Sequence, residues 1–205
     1  MTTETVSATA KNIVTARVSI RGIRPILFHK FGPDALPLEK QEKTGVAGND
    51  PLEWRKTVCV TKEGQLYLPA DYIFGCLREA AKFTKKGRGS IQSLVAATLQ
   101  VIEGKILLDR WLPNGLESLP QDDEAPVYLD VRGVRNPSTK ARNVRYRVAA
   151  SAGWKTTFHI AWDRTIVSRT EMHAVVIDAG RLVGLADGRS IGFGRFEVEE
   201  FEIVA

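Results

Sequence analysis

Residues 168–198, "SRTEMHAVVIDAGRLVGLADGRSIGFGRFEV", predict a helix, a glycine-rich loop and a strand in direct succession. Ser168 and Glu171 have the spacing of a capping box, which favours a helix start at this point. An apolar stripe at helical spacing follows, formed by Met172, Val175, Val176, Ala179 and Leu182 or Val183. Gly184 suits a helix C-terminal cap. The alternation of Phe196 and Val198 then predicts the strand, so this part of the chain is a helix–loop–strand unit.

Helical spacing and strand alternation of apolar residues also predict the elements that precede residue 168. Residues 13–22 alternate apolar and polar side chains, which indicates a strand that continues extended past Pro25, and residues 69–83 carry a helical apolar stripe. Shorter segments predict two strands within 56–69, around a turn at Glu63-Gly64, and a short helix at 91–100. Further strands are predicted at 101–109, 126–133, 146–153 and 155–163. The order strand, helix, strand, strand, helix, strand predicts an α+β, ferredoxin-like (RRM-like) βαββαβ core with long loop insertions.

The length of 205 residues suits one domain. We expect a short flexible N-terminal tail at 1–11 and a single domain at 12–205. Two segments rich in proline, glycine and charge interrupt the periodic pattern, at about 32–55 and 112–145, and predict insertions.

The composition narrows the class of protein. A formal net charge of +5 permits an anionic partner without requiring one. Cys59 and Cys76 lack metal-site spacing and indicate buried thiols in a reducing compartment. The N-terminal residues lack a signal-peptide core and no apolar run reaches membrane length, which predicts a cytoplasmic protein with no membrane partner. The three histidines lack metal spacing and no nucleotide motif occurs, so we expect neither a metal nor a cofactor.

The first candidate site is residues 131–147, an arginine-dominated segment without an acidic residue. Its cations are Arg132, Arg135, Lys140, Arg142, Arg145 and Arg147. The guanidinium fork matches phosphate geometry, so the segment favours nucleic-acid binding over a merely solvated loop. A second basic segment at 82–90, with Lys85, Lys86 and Arg88, is explained equally well by the preference of cations for a helix C-terminus.

The glycine-rich loop is the second candidate. Gly192 and Gly194 would lie on one face of an extended chain and expose bare backbone there, with Arg189 and Arg195 on either side. The alternative is a turn at Asp187-Gly188 followed by a bulge that enters the strand.

The end of the first extended segment, "FHKF" (28–31), is the third candidate. His29, followed by Lys30, could serve as a general base, stack on a base of RNA, or be an ordinary polar residue at a strand end. No catalytic residue is assigned, although a metal-independent ribonuclease that uses His29, with Lys30 or Tyr146 assisting, stays open.

Two of these stretches resemble a known family. Residues 184–198 resemble the glycine-rich C-terminal loop of the RAMP superfamily, the ferredoxin-like RNA-binding proteins of CRISPR effector complexes. The segment "YLPADYIFGCLREAAK" (67–82) resembles their "P-x-x-x-h-x-G-x-h-R" helix through Pro69, Ile73, Gly75, Leu77 and Arg78. With "ILFHKF" (26–31), they also resemble small proteins encoded by phages and prophages. The resemblance covers roughly 20–83 and 145–200.

The resemblance implies a backbone-type subunit of an antiviral ribonucleoprotein. Such proteins polymerise along a single-stranded guide RNA, contact its phosphates from the glycine loop and nearby cations, and kink the strand with an inserted thumb, here 32–55 or 112–145. Other effector-complex subunits would be partners. Asp34 lies near the aspartate of target-cleaving members, but its surroundings differ and catalysis is not carried over.

The leading hypothesis is therefore a non-catalytic, homo-oligomeric protein that binds a single-stranded nucleic acid, with guide RNA first. The alternatives are a phage protein that coats and anneals single-stranded DNA, the His29 ribonuclease, and a structural protein of a phage particle. Because phosphates are common to RNA and DNA, they do not distinguish the two.

Overall fold

The structure is a computed structural model that describes residues 12–30, 50–135, 140 and 142–204. The predicted tail at 1–11, most of the predicted insertion at about 32–55, and Asp34 lie outside the described residues. The elements in chain order are β1 Ile13–Gly22, β2 Ile26–Phe28, α1 Glu53–Thr57, β3 Gln65–Pro69, α2 Ala70–Ala80, β4 Lys85–Lys86, β5 Gly89–Ser90, α3 Gln92–Thr98, β6 Gln100–Val101, β7 Lys105–Trp111, β8 Pro113–Leu116, β9 Val127–Arg135, β10 Arg142–Ala150, β11 Lys155–Asp163, α4 Arg169–Asp178 and β12 Phe196–Ile203.

The main sheet has the strand order β12-β1-β11-β7-β3, and β6 also pairs with β11. Its neighbours run antiparallel, and β1 pairs with β11 from Ile13↔Asp163 to Arg21↔Lys155. The predicted alternation along β1 is confirmed, because Val14, Ala16, Val18 and Ile20 are buried. Their side chains join those of α2 and α4 in one core, whereas the opposite face of β1 stays open to solvent.

A smaller antiparallel sheet has the strand order β2-β10-β9. Its strands β9 and β10 form a hairpin. Near β2 the hairpin is buried, at Val127, Tyr128 and residues 148–150, whereas its distal half is largely exposed. The predicted strands at 146–153 and 155–163 do exist, but β10 and β11 belong to different sheets. Gly153, with φ 90, lies in the turn between them, so the chain leaves one sheet and enters the other there.

The predicted helix signals are confirmed. The Ser168 Oγ accepts a hydrogen bond from the Glu171 N–H at 3.2 Å, and the Glu171 carboxylate accepts one from the Ser168 N–H at 2.7 Å. After α4 the chain makes a wider π-type turn over Ala179–Val183 and ends at Gly184, where φ is 86. The strand predicted from residue 56 onward is wrong at its start, because residues 53–57 form α1, which buries Trp54 and Thr57.

The described part of the chain thus mixes helices with mostly antiparallel strands, which is compatible with the predicted α+β class. Within the described ranges, none of the helices is long and apolar enough to cross a membrane.

Candidate nucleic-acid interface

A groove of ≈ 820 Å³ lies between the β9–β10 hairpin and the glycine-rich loop at 182–195. Its lining brings together both of the main sequence candidates, the arginine segment and the loop. The cations that line it are Lys82, Arg132, Arg135, Arg145, Arg147, Arg189 and Arg195, against the two carboxylates Glu79 and Asp187. The groove is therefore rich in positive charge, although its arginines differ in their surroundings.

Arg147 is enclosed in an ion-pair network. Its side chain is only 4% exposed, and its guanidinium donates to the Asp130 carboxylate at 3.2 Å and to the Asp187 carboxylate at 2.7 Å. The three residues belong to β10, β9 and the glycine-rich loop, so the network ties the hairpin to the loop. Arg147 accordingly builds the wall of the groove.

Arg132 makes a second contact between the hairpin and the glycine-rich loop. Its guanidinium donates to the Asp130 carboxylate at 2.5–3.0 Å and lies 4.7 Å from the centroid of the Phe193 ring. Such cation–π stacking is favourable and orients the guanidinium plane. The acid-free appearance of the segment 131–147 is therefore misleading, because Asp130, one residue before it, forms ion pairs with both Arg132 and Arg147.

These contacts keep the Asp187 side chain ionised by lowering its pKa. Burial alone would raise its pKa, but hydrogen bonds from Arg147 and from the Gly188 N–H outweigh the burial and lower it. Asp187 is thus a carboxylate at neutral pH, and the network keeps opposite charges in contact beneath the groove.

Arg145 and His29 share one carboxylate on the groove wall. Arg145 forms an ion pair with Glu53 of α1, and the Nε2 atom of His29 lies 3.1 Å from the same carboxylate. The Glu53 side chain is 16% exposed, whereas that of Arg145 is 40% exposed. Arg145 therefore faces the groove with its charge partly compensated.

Three cations of the groove have no ion-pair partner among the described residues: Arg135, Arg189 and Arg195. Arg135 and Arg189 are exposed, and the Nη1 atom of Arg195 is buried without a hydrogen-bond partner in the described part of the chain. A buried guanidinium N–H without an acceptor is costly.

The register of the hairpin places positively charged residues directly opposite each other. Arg142 of β10 lies opposite Arg135 of β9, and Arg145 lies opposite Arg132. Like charges in facing positions destabilise a strand pair. Arg132 and Arg145 are compensated by Asp130 and Glu53. Arg135 and Arg142 have no ion pair within the described residues, so a bound polyanion would relieve their repulsion.

The glycine-rich loop is not the extended chain predicted from the sequence. Residues Arg189–Ile191 form a 3₁₀ turn, and φ is 93 at Gly192 and 68 at Gly194. A Cβ atom on Gly194 would lie 2.0 Å from the Leu185 carbonyl oxygen, so this glycine lets the loop close on itself. A Cβ atom on Gly192 would meet nothing within 4 Å, which leaves the backbone at Gly192 open to an approaching ligand.

Several sequence candidates do not line the groove. Lys85, Lys86 and Arg88 lie on or between β4 and β5, where Lys86 contacts the Ile166 carbonyl at 3.2 Å and the Glu171 carboxylate at 3.5 Å near the start of α4. Three further cations are exposed and lie at the end of β2 or on the distal hairpin: Lys30, Lys140 and Arg142. Gly192 and Gly194 belong to the glycine-rich loop but do not line the groove either.

Sequence reasoning missed Glu53, Asp130 and Phe193. Glu53 lies 92 residues from Arg145 along the chain, and no local spacing could have paired the two. Within the described ranges, no three His, Cys, Asp or Glu side chains converge in a way that could hold a metal ion.

Comparison with known proteins gives a likeness of fold. No protein-family model matches the chain, and no curated protein matches it. Among solved structures, it is similar to a chain of the Type III-B Cmr-beta bound to cognate target RNA, determined by cryo-EM. The TM-score is 0.53 at 14% identity, and the match covers 94% of this chain and 61% of that chain. The protein thus spans 61% of the length of the solved chain that it resembles.

Proposed function

We propose that this protein binds a single strand of RNA in the groove between the β9–β10 hairpin and the glycine-rich loop, without cleaving it. The observation that carries the proposal is the convergence of Arg135, Arg189 and Arg195 on a groove whose remaining arginines are held by carboxylates. Guanidinium groups without protein partners are available to phosphate oxygens. Each phosphate they neutralise releases counterions, which supplies affinity at low salt.

The groove is a better site than the open face of the main sheet. On that face Arg17 pairs with Glu200 and Glu202, and His159 contacts Glu103. RRM-type sheets bind RNA through aromatic side chains on the central strands. Here the central strands β1 and β11 place Ser19 beside Thr157 on that face, and their hydroxyl groups are 3.0 Å apart.

We also propose a ferredoxin-like fold and a relationship to the RAMP superfamily. In the order β12-β1-β11-β7, the chain has helix α2 between β1 and β7 and helix α4 between β11 and β12. This arrangement supports a ferredoxin-like βαββαβ core to which the β2-β10-β9 sheet is added. The fold likeness to the Type III-B Cmr-beta chain and the motifs at 67–82 and 184–198 support a relationship to the RAMP superfamily.

The same relationship suggests how the protein assembles. Repeated copies would lie along one guide RNA, with other effector-complex subunits as further partners. Single-stranded DNA is the alternative strand, because the arginines contact phosphates that both polymers carry.

The test compares two triple variants that remove equal charge. One replaces Arg135, Arg189 and Arg195 with Ala, and the control replaces Lys85, Lys86 and Arg88 with Ala. Binding of a fluorescent single-stranded RNA is measured by anisotropy over a series of salt concentrations. We expect the groove variant to lose affinity and the slope of log affinity against log salt to fall by about 2, since each lost phosphate contact removes about 0.7.

The control variant should keep both affinity and slope, and thermal unfolding of both variants checks that they remain folded. Equal losses in the two variants would show that general positive charge, rather than the groove, binds the strand. Loss in neither variant would contradict the proposal outright.

One contact supports a second candidate, a metal-independent ribonuclease. His29 lines the groove, and the Glu53 carboxylate 3.1 Å from its Nε2 atom would orient the imidazole as a general base for a 2′-hydroxyl. Labelled RNA incubated with a chelator would then be cut by the protein and not by His29→Ala. Intact RNA in both reactions removes this candidate.

A further inference from the structure

A second, smaller cavity opens beside the groove. Its volume is ≈ 210 Å³, equivalent to about seven waters at the roughly 30 Å³ that each occupies in the liquid. It is lined by His29, Asp71, Tyr72, Gly75, Ala186, Asp187 and Arg189. Four of these residues also line the groove, namely His29, Ala186, Asp187 and Arg189. A chain lying in the groove therefore has direct access to the cavity.

The cavity differs from the groove in charge. Two carboxylates, Asp71 and Asp187, face one arginine, Arg189, and one imidazole. Carboxylates repel phosphate oxygens, so the phosphates of a strand stay in the groove. They accept hydrogen bonds from amino groups, which bases carry. The cavity thus suits the uncharged part of a nucleotide.

Tyr72 gives the cavity an aromatic wall. Burial, and then the neighbouring Cys59, Asp71 and Asp187, raise the pKa of Tyr72, so the phenol stays protonated and uncharged. A neutral aromatic ring is a surface on which a base can stack. Gly75 leaves space beside it, because a Cβ atom there would meet nothing within 4 Å.

We propose that this cavity receives one base turned out of the strand in the groove, and that it prefers a base with an exocyclic amino group over uracil. The proposal rests on the proposed function, because the strand in the groove delivers the base. Asp71, which is exposed, and Asp187, which also accepts from Arg147, would accept hydrogen bonds from an amino group. Uracil carries a carbonyl oxygen in place of that amino group, and this oxygen would face the carboxylates unpaired.

The test uses oligo-C and oligo-U RNA of equal length, which differ at each base chiefly in an amino group against a carbonyl. Wild-type protein should bind oligo-C about tenfold more tightly, the discrimination typical of one well-placed hydrogen-bonded contact to a base edge. Gly75→Leu fills the cavity and raises helix propensity, so it should fold. It should reduce the difference to less than about twofold while the salt dependence stays unchanged.

Gly104→Leu is the matched control, since a Cβ atom there also meets nothing within 4 Å and the residue lines neither cavity. It should keep the preference for oligo-C. Asp71→Asn should weaken that preference, because an amide can donate to uracil as well as accept. An excess of CMP should leave the strand bound, and displacement by CMP would assign the cavity to a free nucleotide instead.

The outcomes separate the two proposals. Equal affinity of wild-type protein for both strands, or an unchanged preference in Gly75→Leu, overturns the base pocket and leaves the groove intact. Failure of wild-type protein to bind any strand overturns both.

Discussion

Arg135 and Arg147 carry the same charge on one hairpin, but they differ in burial and in ion-pair partners. Arg147 is 4% exposed between two carboxylates, whereas Arg135 is exposed without an ion-pair partner among the described residues. We expect Arg147→Met to lower the free energy of unfolding by about 1–3 kcal/mol, because buried Asp130 keeps only Arg132 as a partner and Asp187 loses its cation. Urea unfolding measures this loss.

Arg135→Met is the matched control and should change stability by less than about 0.5 kcal/mol. It should instead lower affinity for the strand. A stable Arg147→Met protein would mean that the Asp130–Arg147–Asp187 network does not hold the hairpin to the loop.

Asp187 makes the network sensitive to acid. Because its pKa is lowered in the folded protein, its contribution to stability is present at neutral pH and is lost as the pH falls through and below the usual range of an aspartate, about 4. Asp187→Asn should flatten the dependence of unfolding free energy on pH in that acidic range. Chemical denaturation at a series of pH values measures it, and exposed Asp123→Asn serves as the control. An unchanged slope in Asp187→Asn would refute the assignment.

At the scale of elements, the glycine-rich loop depends on two glycines for different reasons. Gly192→Ala meets open space and should cost about 1–2 kcal/mol for its positive φ alone. Gly194→Ala adds a clash with the Leu185 backbone, so it should destabilise the protein more and distort the groove. Thermal unfolding and strand affinity, measured together, test this. Equal effects of the two substitutions would contradict the closed conformation of the loop.

The elements that the sequence predicted are those whose signals are local. The capping box of Ser168 and Glu171 and the alternation in β1 lie within a few residues, and both were confirmed. The separation of β10 and β11 into different sheets could not be predicted, because both segments alternate as strands and only tertiary packing decides their partners. Glu53 was missed for the same reason, since it lies 92 residues from Arg145 and reaches the hairpin only in the folded chain.

At the scale of the whole molecule, the proposal of repeated copies makes a direct prediction. The number of protein copies on one RNA should rise in steps as the strand lengthens, because each copy covers a fixed stretch. Native mass spectrometry of complexes with strands of increasing length counts the copies. A single copy on strands of every length would contradict assembly along the RNA, although not binding in the groove.

We propose that the strand lies in the groove rather than on another surface of the protein. Photocrosslinking with single-stranded RNA that contains 4-thiouridine, followed by mass spectrometry of the crosslinked peptides, tests it most directly. If the strand lies in the groove, crosslinks form within residues 132–135 and 182–195. Crosslinks confined to the open face of the main sheet, around Arg17 and His159, or to β4 and β5, would contradict it.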